Sequence, residues 1–347
     1  MALNSLTKIE KICPCPKIAV IHTFAWLLAC MKVIDKIRSS SSPLFSFEIL
    51  PPLKGNRIEA IYESIDPLME FNPSFINVTY HREEFTYKKR EKGYLEKISM
   101  RKRPGTVAIC AAIFNKYKVD TVPHLICGGF NREETENALL DLQFLGIDNV
   151  LALRGDPIKT EPHFTPSEGG HSYAVELVNQ IADMNKGIYL DEDIKEAHPT
   201  DFCIGVAGYP ERHFEAPNRM IDLKFLKDKI EAGAEYIVTQ LFFDNRKYFS
   251  FVEKCREIGI DVPIIPGLKP ISNLRHITFM PKFFHVELPD EFALALMKCR
   301  TDKEVYQVGV DWCIRQSREL IEAGVPGIHY FTMGKSSATR QIVKEIF

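Results

Sequence analysis

The chain has 347 residues, 45% hydrophobic and 26% charged, with a formal net charge of -2. This is long for one small domain, ordinary for one barrel with an extension, and apolar enough to fill a large core. The charge balance excludes a basic nucleic-acid-binding surface: Lys88-Lys89-Arg90 and Arg101-Lys102-Arg103 are short clusters that read as solvated loop or helix faces.

In chain order, residues 1–40 read as an N-terminal extension. Ile18 to Ile34 is apolar but contains His22 and Lys32 and is short for a membrane span. Lys8, Lys11 and Lys17 precede it, as in a signal peptide, yet no clear small-residue cleavage site follows. A third reading, translation beginning at Met31, is preferred. Cys13-Pro14-Cys15 is the one close pair among nine cysteines and lacks a second pair to complete a zinc site. The thiols read as reduced, which places the chain in the cytoplasm.

Residues 41–347 alternate strand and helix patterns. Short apolar runs at 44–50, 74–79, 121–127, 149–154, 202–208, 236–243, 263–267 and 327–332 read as strands. Between them Ile58, Ile61, Ile65 and Leu68 repeat at helical spacing, as do Leu139, Leu142 and Leu145 after a start signal in Asn131 and Glu134. Leu223, Leu226 and Ile230 repeat likewise, with Gly233 closing that helix. Eight such units predict an α/β chain folded as a (β/α)8 TIM barrel. The alternative is an open doubly wound sheet, but no G-x-G-x-x-G fingerprint follows the first strand.

In a barrel the site lies at the C-terminal strand ends. Those ends carry Glu48, Asn77 with Thr79 and Tyr80, His124, Arg154 with Asp156, Tyr209, Thr239 with Gln240, and Lys269 or Lys335. In Leu44-Phe45-Ser46-Phe47-Glu48-Ile49-Leu50-Pro51-Pro52, alternation sends Phe45, Phe47 and Ile49 toward the helices and Glu48 inward. A buried carboxylate needs a task or a partner, so Glu48 is either catalytic or held in an ion pair. Gly155 permits close approach of a ligand, whereas Asp156 before Pro157 also reads as a turn-former and Arg154 as its structural cation. His124 and Cys127 have a metal-like spacing, but two ligands make no site, and a hydrogen-bonded strand-end histidine is the preferred reading. Tyr209-Pro210-Glu211-Arg212-His213 reads as a binding loop. Lys224, Lys227 and Lys229 read as a solvated helix face or, for one of them, a phosphate partner.

Taken together, these segments resemble the methylenetetrahydrofolate reductase family. Phe45-Ser46-Phe47-Glu48-Ile49-Leu50-Pro51-Pro52, Asn77-Val78-Thr79-Tyr80, Pro123-His124-Leu125-Ile126-Cys127, Leu151-Ala152-Leu153-Arg154-Gly155-Asp156 and Tyr209-Pro210-Glu211 occur in the family's order. Ala232-Gly233-Ala234, Thr239-Gln240-Leu241-Phe242-Phe243-Asp244 and Ile264-Ile265-Pro266-Gly267 continue it. The resemblance implies a barrel holding FAD non-covalently, with NADH or NADPH and then methylenetetrahydrofolate using one face alternately. It implies no metal, no nucleic-acid or membrane partner, and a homo-oligomer. It makes Glu48 the general acid, Asp156 the carboxylate between flavin and pterin, and Gln240 the pterin-binding amide. Thr79, Tyr80, His124, Leu153, Arg154, Gly155, Asp156, Tyr173, Ala174, Ala207, Tyr209 and His213 match FAD-lining positions; Asp222 and Lys229 match a helix meeting its ribose and phosphates.

The chain departs from the family's pattern at two places. Leu274 stands where many bacterial relatives carry a substrate-stacking Phe. Gly334-Lys335 replaces an Asn-Arg pair, leaving Lys335 to meet the folate's glutamate tail without a bidentate grip. The chain ends near the barrel, so no inhibition by adenosylmethionine is expected. Two rivals stand beside this reading: a flavin barrel of the proline dehydrogenase type, and a barrel that binds folate without redox work.

Overall fold

A computed structural model describes residues 31–347 apart from Lys92, Arg101, Lys102, Lys159 and Thr160. The reading of residues 1–30 lies outside the described residues. The strands are β1 (Leu44–Ile49), β2 (Phe75–Val78), β3 (Glu84–Lys89), β4 (Leu95–Met100), β5 (Asp120–Ile126), β6 (Asn149–Leu153), β7 (Cys203–Gly208), β8 (Tyr236–Leu241), β9 (Ile264–Leu268) and β10 (Gly327–Phe331). Eight of them close a parallel barrel in the order β1-β10-β9-β8-β7-β6-β5-β2. All eight correspond to the strands expected from sequence, and the open sheet is excluded by the β1–β10 pairing that closes the ring.

The helices are α1 (Val33–Ser39), α2 (Glu59–Met69), α3 (Thr106–Tyr117), α4 (Arg132–Phe144), α5 (Ala174–Met184), α6 (Arg219–Glu231), α7 (Asn245–Glu257), α8 (Leu274–Phe284), α9 (Asp290–Met297), α10 (Asp302–Glu322) and α11 (Ser337–Ile346). The start signal at Asn131 is a complete capping box with Glu134. Leu139 and Leu142 are buried on α4, but Leu145 is its exposed C-cap. Gly233 ends α6 with a φ of 124°, which only glycine adopts freely.

One element was not anticipated. Strands β3 and β4 pair as an antiparallel hairpin outside the barrel, carrying Lys88 and Lys89 in a strand. Its pattern is masked by charge, and Tyr87 and Leu95 are exposed.

The core has two shells. Outside the barrel wall, Phe45, Phe47 and Ile49 pack in the cluster that includes Ile61, Ile65 and Leu68 of α2 and Ile342 and Val343 of α11. Inside, Phe75, Val122, Leu151, Cys203, Tyr236, Val238 and Ile265 meet Val33 and Ile34 of α1. A Cβ at Gly205 would stand 2.3 Å from the Tyr236 ring, so glycine there makes room for it in the lumen.

Helix α1, within the expected extension, closes the N-terminal mouth. The Val33 amide donates to Asn149 Oδ1 at 2.7 Å, and Lys36 Nζ lies 2.5 Å from Asp120 Oδ2. Lys32 pairs with Asp201. The six described cysteines are free thiols. No helix among the described residues is long and apolar enough to cross a membrane.

Candidate active site at the C-terminal mouth of the barrel

The opposite mouth opens into a cavity of about 1030 Å³. Glu48, Thr79, His124, Leu153, Arg154, Gly155, Asp156, Tyr173, Ala174, Ala207, Tyr209, His213, Asp222, Lys229 and Gln240 all line it. The fold thus gathers residues spread over almost 200 positions into one space. Tyr80, Leu274 and Lys335 are not among the described residues lining it. The Tyr80 ring packs 5.0 Å from Phe130. Leu274 is the first residue of α8, 41% exposed, its amide donating to Asp302 Oδ1. Lys335 is exposed in the turn after β10.

Glu48 points into the lumen, as alternation requires. Its side chain keeps 18% exposure, enough for a ligand in the cavity to reach it. Thr79 Oγ1 donates to Glu48 Oε1 at 2.9 Å, and His124 Nε2 lies 3.4 Å from Oε2. Burial raises the Glu48 pKa to about 7, against the opposing pull of Thr79 and the charge of Lys269. His124 is not a countercharge: burial lowers its pKa to about 3, so the ring is neutral near pH 7. It sits beside Asn77 Nδ2 at 3.3 Å, the hydrogen-bonded histidine expected from sequence. No group of three or more His, Cys, Asp or Glu side chains suited to a metal occurs among the described residues.

The rest of the wall is set by local chain geometry. Gly155 turns with a φ of 85°, where a Cβ would stand 3.1 Å from Ile126. Asp156 follows, its pKa raised by burial despite the nearby charge of Arg154. Arg154 pairs with Glu215 at 2.5 Å and lies over the Phe164 ring, so its ion-pair partner is Glu215 and not Asp156. Between Val238 and Leu241, β8 advances three residues while β9 advances two, a bulge at Thr239 and Gln240. Thr239 Oγ1 accepts from the Gly267 amide there. Gln240 Oε1 accepts from the Leu241 amide at 2.9 Å, so the side chain offers the cavity its donors.

On the β7–α6 side, Asp222 Oδ2 accepts from the His213 amide at 3.1 Å, which ties the 209–218 loop to α6. Lys229 Nζ donates to the Ala207 carbonyl at 2.8 Å and makes no ion pair among the described residues. Burial lowers its pKa to about 8. Of the three lysines noted on α6, Lys229 lines the cavity and Lys224 is exposed.

Sequence reasoning missed several lining residues. His329 lies in register with Ser46, whose Oγ is 2.9 Å from its Nδ1. Its inward alternation on β10 is the same signal that flagged Glu48. His81 lies just beyond β2. Phe279, Phe283 and Phe284 line the cavity from α8, a face that no periodicity distinguishes from core.

The methylenetetrahydrofolate reductase family model matches residues 33–346. The chain belongs to the methylenetetrahydrofolate reductase family. It is 33% identical over 316 residues to methylenetetrahydrofolate reductase (NADH) 1 of Arabidopsis thaliana, covering 87% of this chain and 48% of that protein. It is 30% identical over 300 residues to the 5,10-methylenetetrahydrofolate reductase of Pectobacterium carotovorum, covering 86% and 88%. The chain thus spans about half the length of the plant reductase and most of the bacterial one. A solved Clostridium thermocellum structure described as binding two copies of 5-methyl-5,6,7,8-tetrahydrofolic acid matches 90% of this chain and 97% of its own. Its TM-score is 0.53 at 14% identity, a likeness of fold alone.

Proposed function

We propose that the chain reduces 5,10-methylenetetrahydrofolate to 5-methyltetrahydrofolate, with FAD in the cavity and NADH or NADPH as the reductant. The alternating use of one face, a role in one-carbon metabolism and methionine synthesis, a cytoplasmic location and homo-oligomeric assembly belong to the same reading. The observation that carries it is Glu48, a carboxyl group held protonated up to about pH 7 on the floor of a ligand-sized cavity.

The residues fit FAD. The cavity is at the upper end of ligand-pocket volumes. Lys229 presents an ammonium without an ion pair among the described residues, the chemistry a phosphate would satisfy. Asn77 Oδ1 is buried without a hydrogen-bond partner among the described residues and its residue lines the same space, an acceptor available to a ring N–H. Thr79, His124, Leu153, Arg154, Gly155, Tyr173, Ala174, Ala207, Tyr209 and His213 would surround the cofactor, with Asp222 and Lys229 toward its ribose and phosphates. When bound, FAD supplies a carrier that takes a hydride from the nicotinamide and passes it to the folate.

The protein's own work is acid catalysis and orientation. Glu48 gives its proton to N10 of the bound folate as the C–N10 bond of the five-membered ring breaks, leaving an N5 iminium that can accept a hydride. Thr79 fixes Oε1, so Oε2 is the oxygen left to hold the proton. Gln240 donates to the pterin, and Asp156 accepts from its N–H groups. Asp156 also places negative charge where extra electron density on the ring system would be disfavoured.

Anaerobic stopped-flow at the flavin band tests this. Protein reduced by NADH should reoxidise on mixing with methylenetetrahydrofolate and yield methyltetrahydrofolate. Reduction without reoxidation would overturn the folate reading together with the roles of Glu48 and Gln240. Protein that takes up no FAD would favour a folate-binding barrel without redox work.

A further inference from the structure

Three adjacent strands set one further residue at the level of Glu48. Leu268 of β9 is in register with Tyr330 of β10, and Tyr330 with Phe47 of β1. The next rung therefore holds Lys269, Phe331 and Glu48. Lys269 is only 6% exposed. Its Nζ donates to the Thr332 carbonyl at 3.1 Å, and Thr332 Oγ1 donates in turn to the Glu48 carbonyl at 2.6 Å. The Thr332 amide also donates to that carbonyl. Lys269 makes no ion pair among the described residues. A buried ammonium satisfied by one neutral carbonyl is unfavourable unless an anion appears beside it at some stage.

We propose that Lys269 is a positioning residue acting through Glu48, its ammonium supplying the countercharge for the carboxylate that remains once Glu48 has given up its proton. This rests on the acid role assigned above. While protonated, Glu48 is neutral and tolerates its buried place. Once the proton leaves, an uncompensated carboxylate would take it back from the substrate, and burial alone would make Glu48 a poor donor. A fixed ammonium two strands away in the same rung, whose charge already lowers the Glu48 pKa, stabilises the product of the proton transfer, where the charge develops.

The surrounding groups leave this task to Lys269. Thr79 beyond β2 and His124 on β5 contact Glu48, and Asn77 on β2, His81 beyond it and His329 on β10 line the same cavity. Burial lowers His124 and His329 to about 3, and His81 is lowered as well. Facing Lys269 are Cys313 on α10, Lys335 after β10 and His276 on α8. Burial pushes the Cys313 thiol up to about 12 and His276 down to about 4, so both are neutral near pH 7. Lys335 is exposed, and its charge opposes that of Lys269. Burial lowers Lys269 to about 8, so it is still mostly charged at pH 7, the midpoint of the Glu48 titration.

The test compares Lys269→Met, Lys269→Gln and Lys269→Arg with the native chain. The Glu48 carboxyl is titrated by its infrared C=O stretch, identified by its loss in Glu48→Gln, in protein loaded with FAD but free of folate. Removing the ammonium should move that midpoint up by about one pH unit. The alkaline limb of the folate half-reaction should move with it, and the rate on its plateau should fall about tenfold. Reduction by NADH should be unchanged, and Lys269→Arg should restore the native midpoint. Lys269→Gln keeps a donor for Thr332, so a shift seen in Met but absent in Gln would assign the effect to packing and overturn the proposal. So would an unmoved midpoint in both neutral variants. If the native protein fails to reduce the folate, the function proposed above falls, while the infrared titration still decides the electrostatic coupling.

Discussion

The two mouths of the barrel treat charge in opposite ways. At the N-terminal mouth Lys36 meets Asp120, Lys32 meets Asp201, and Asn149 satisfies the Val33 amide, while Val33 and Ile34 plug the lumen. At the C-terminal mouth Glu48, Lys269 and Lys229 are held without charged partners in contact among the described residues, and their pKa values move toward neutrality. Both ends share the strands and the alternation. The difference lies in what faces inward. Paired charges stabilise the closed end; at the open end Arg154 and Glu215 pair, but Glu48, Lys269 and Lys229 leave charge for ligands to complete. A barrel of this kind separates stability from chemistry along one axis.

The comparison breaks most visibly at Glu48. Glu48→Gln should lower folate reduction at least a thousandfold and leave FAD binding and NADH oxidation by a quinone acceptor nearly intact. Equal loss of both half-reactions would mean that Glu48 serves the fold or the flavin. The same variant reports on stability. A carboxyl whose folded pKa is raised from 4.5 to about 7 contributes fully to stability below pH 4.5, and that contribution is lost as pH rises toward 7. Glu48→Gln should therefore gain on the native chain by up to about 3 kcal/mol at pH 8 and by little at pH 4.5, as read from denaturant unfolding at the two pH values.

At the closed end the expectation reverses. Ile34→Ala removes a lumen plug and should cost about 3 kcal/mol of stability while leaving turnover per folded molecule unchanged. A large change in turnover with normal stability would show that the lower mouth communicates with the site. Lys229→Met should weaken FAD about thirtyfold by equilibrium dialysis and should not destabilise the apoprotein, because a desolvated ammonium is removed. The smallest effect is expected at Asp156→Asn. It should raise the flavin potential and slow folate reduction about tenfold; an unchanged potential would sink the electrostatic role of Asp156.

Much of this protein could be read directly from its residues. Strand-helix alternation specified eight parallel strands, because apolar runs and amphipathic repeats dictate local structure. Period two sent Glu48 inward and Phe47 outward, and the motifs from Phe45 to Gly267 pointed to the family. The hairpin β3–β4 escaped although Phe85 and Tyr87 alternate at period two, because the run is short, is followed directly by Lys88-Lys89-Arg90, and leaves Tyr87 and Leu95 exposed. His329 escaped although its period-two position carried the same signal as Glu48.

What only the tertiary structure decided is which side chains meet. Arg154 pairs with Glu215, more than 60 residues on, and not with the adjacent Asp156, because the 209–218 loop folds back over β6. A bulge in β8 sets how Gln240 is presented, and Leu274, expected to touch substrate, starts α8 outside the cavity while Phe279 and Phe283 face it. The pKa of Glu48 belongs to this second class. Sequence alternation places the carboxyl in the lumen, but its acidity depends on desolvation and on Thr79 and Lys269, which chain closure alone brings within reach.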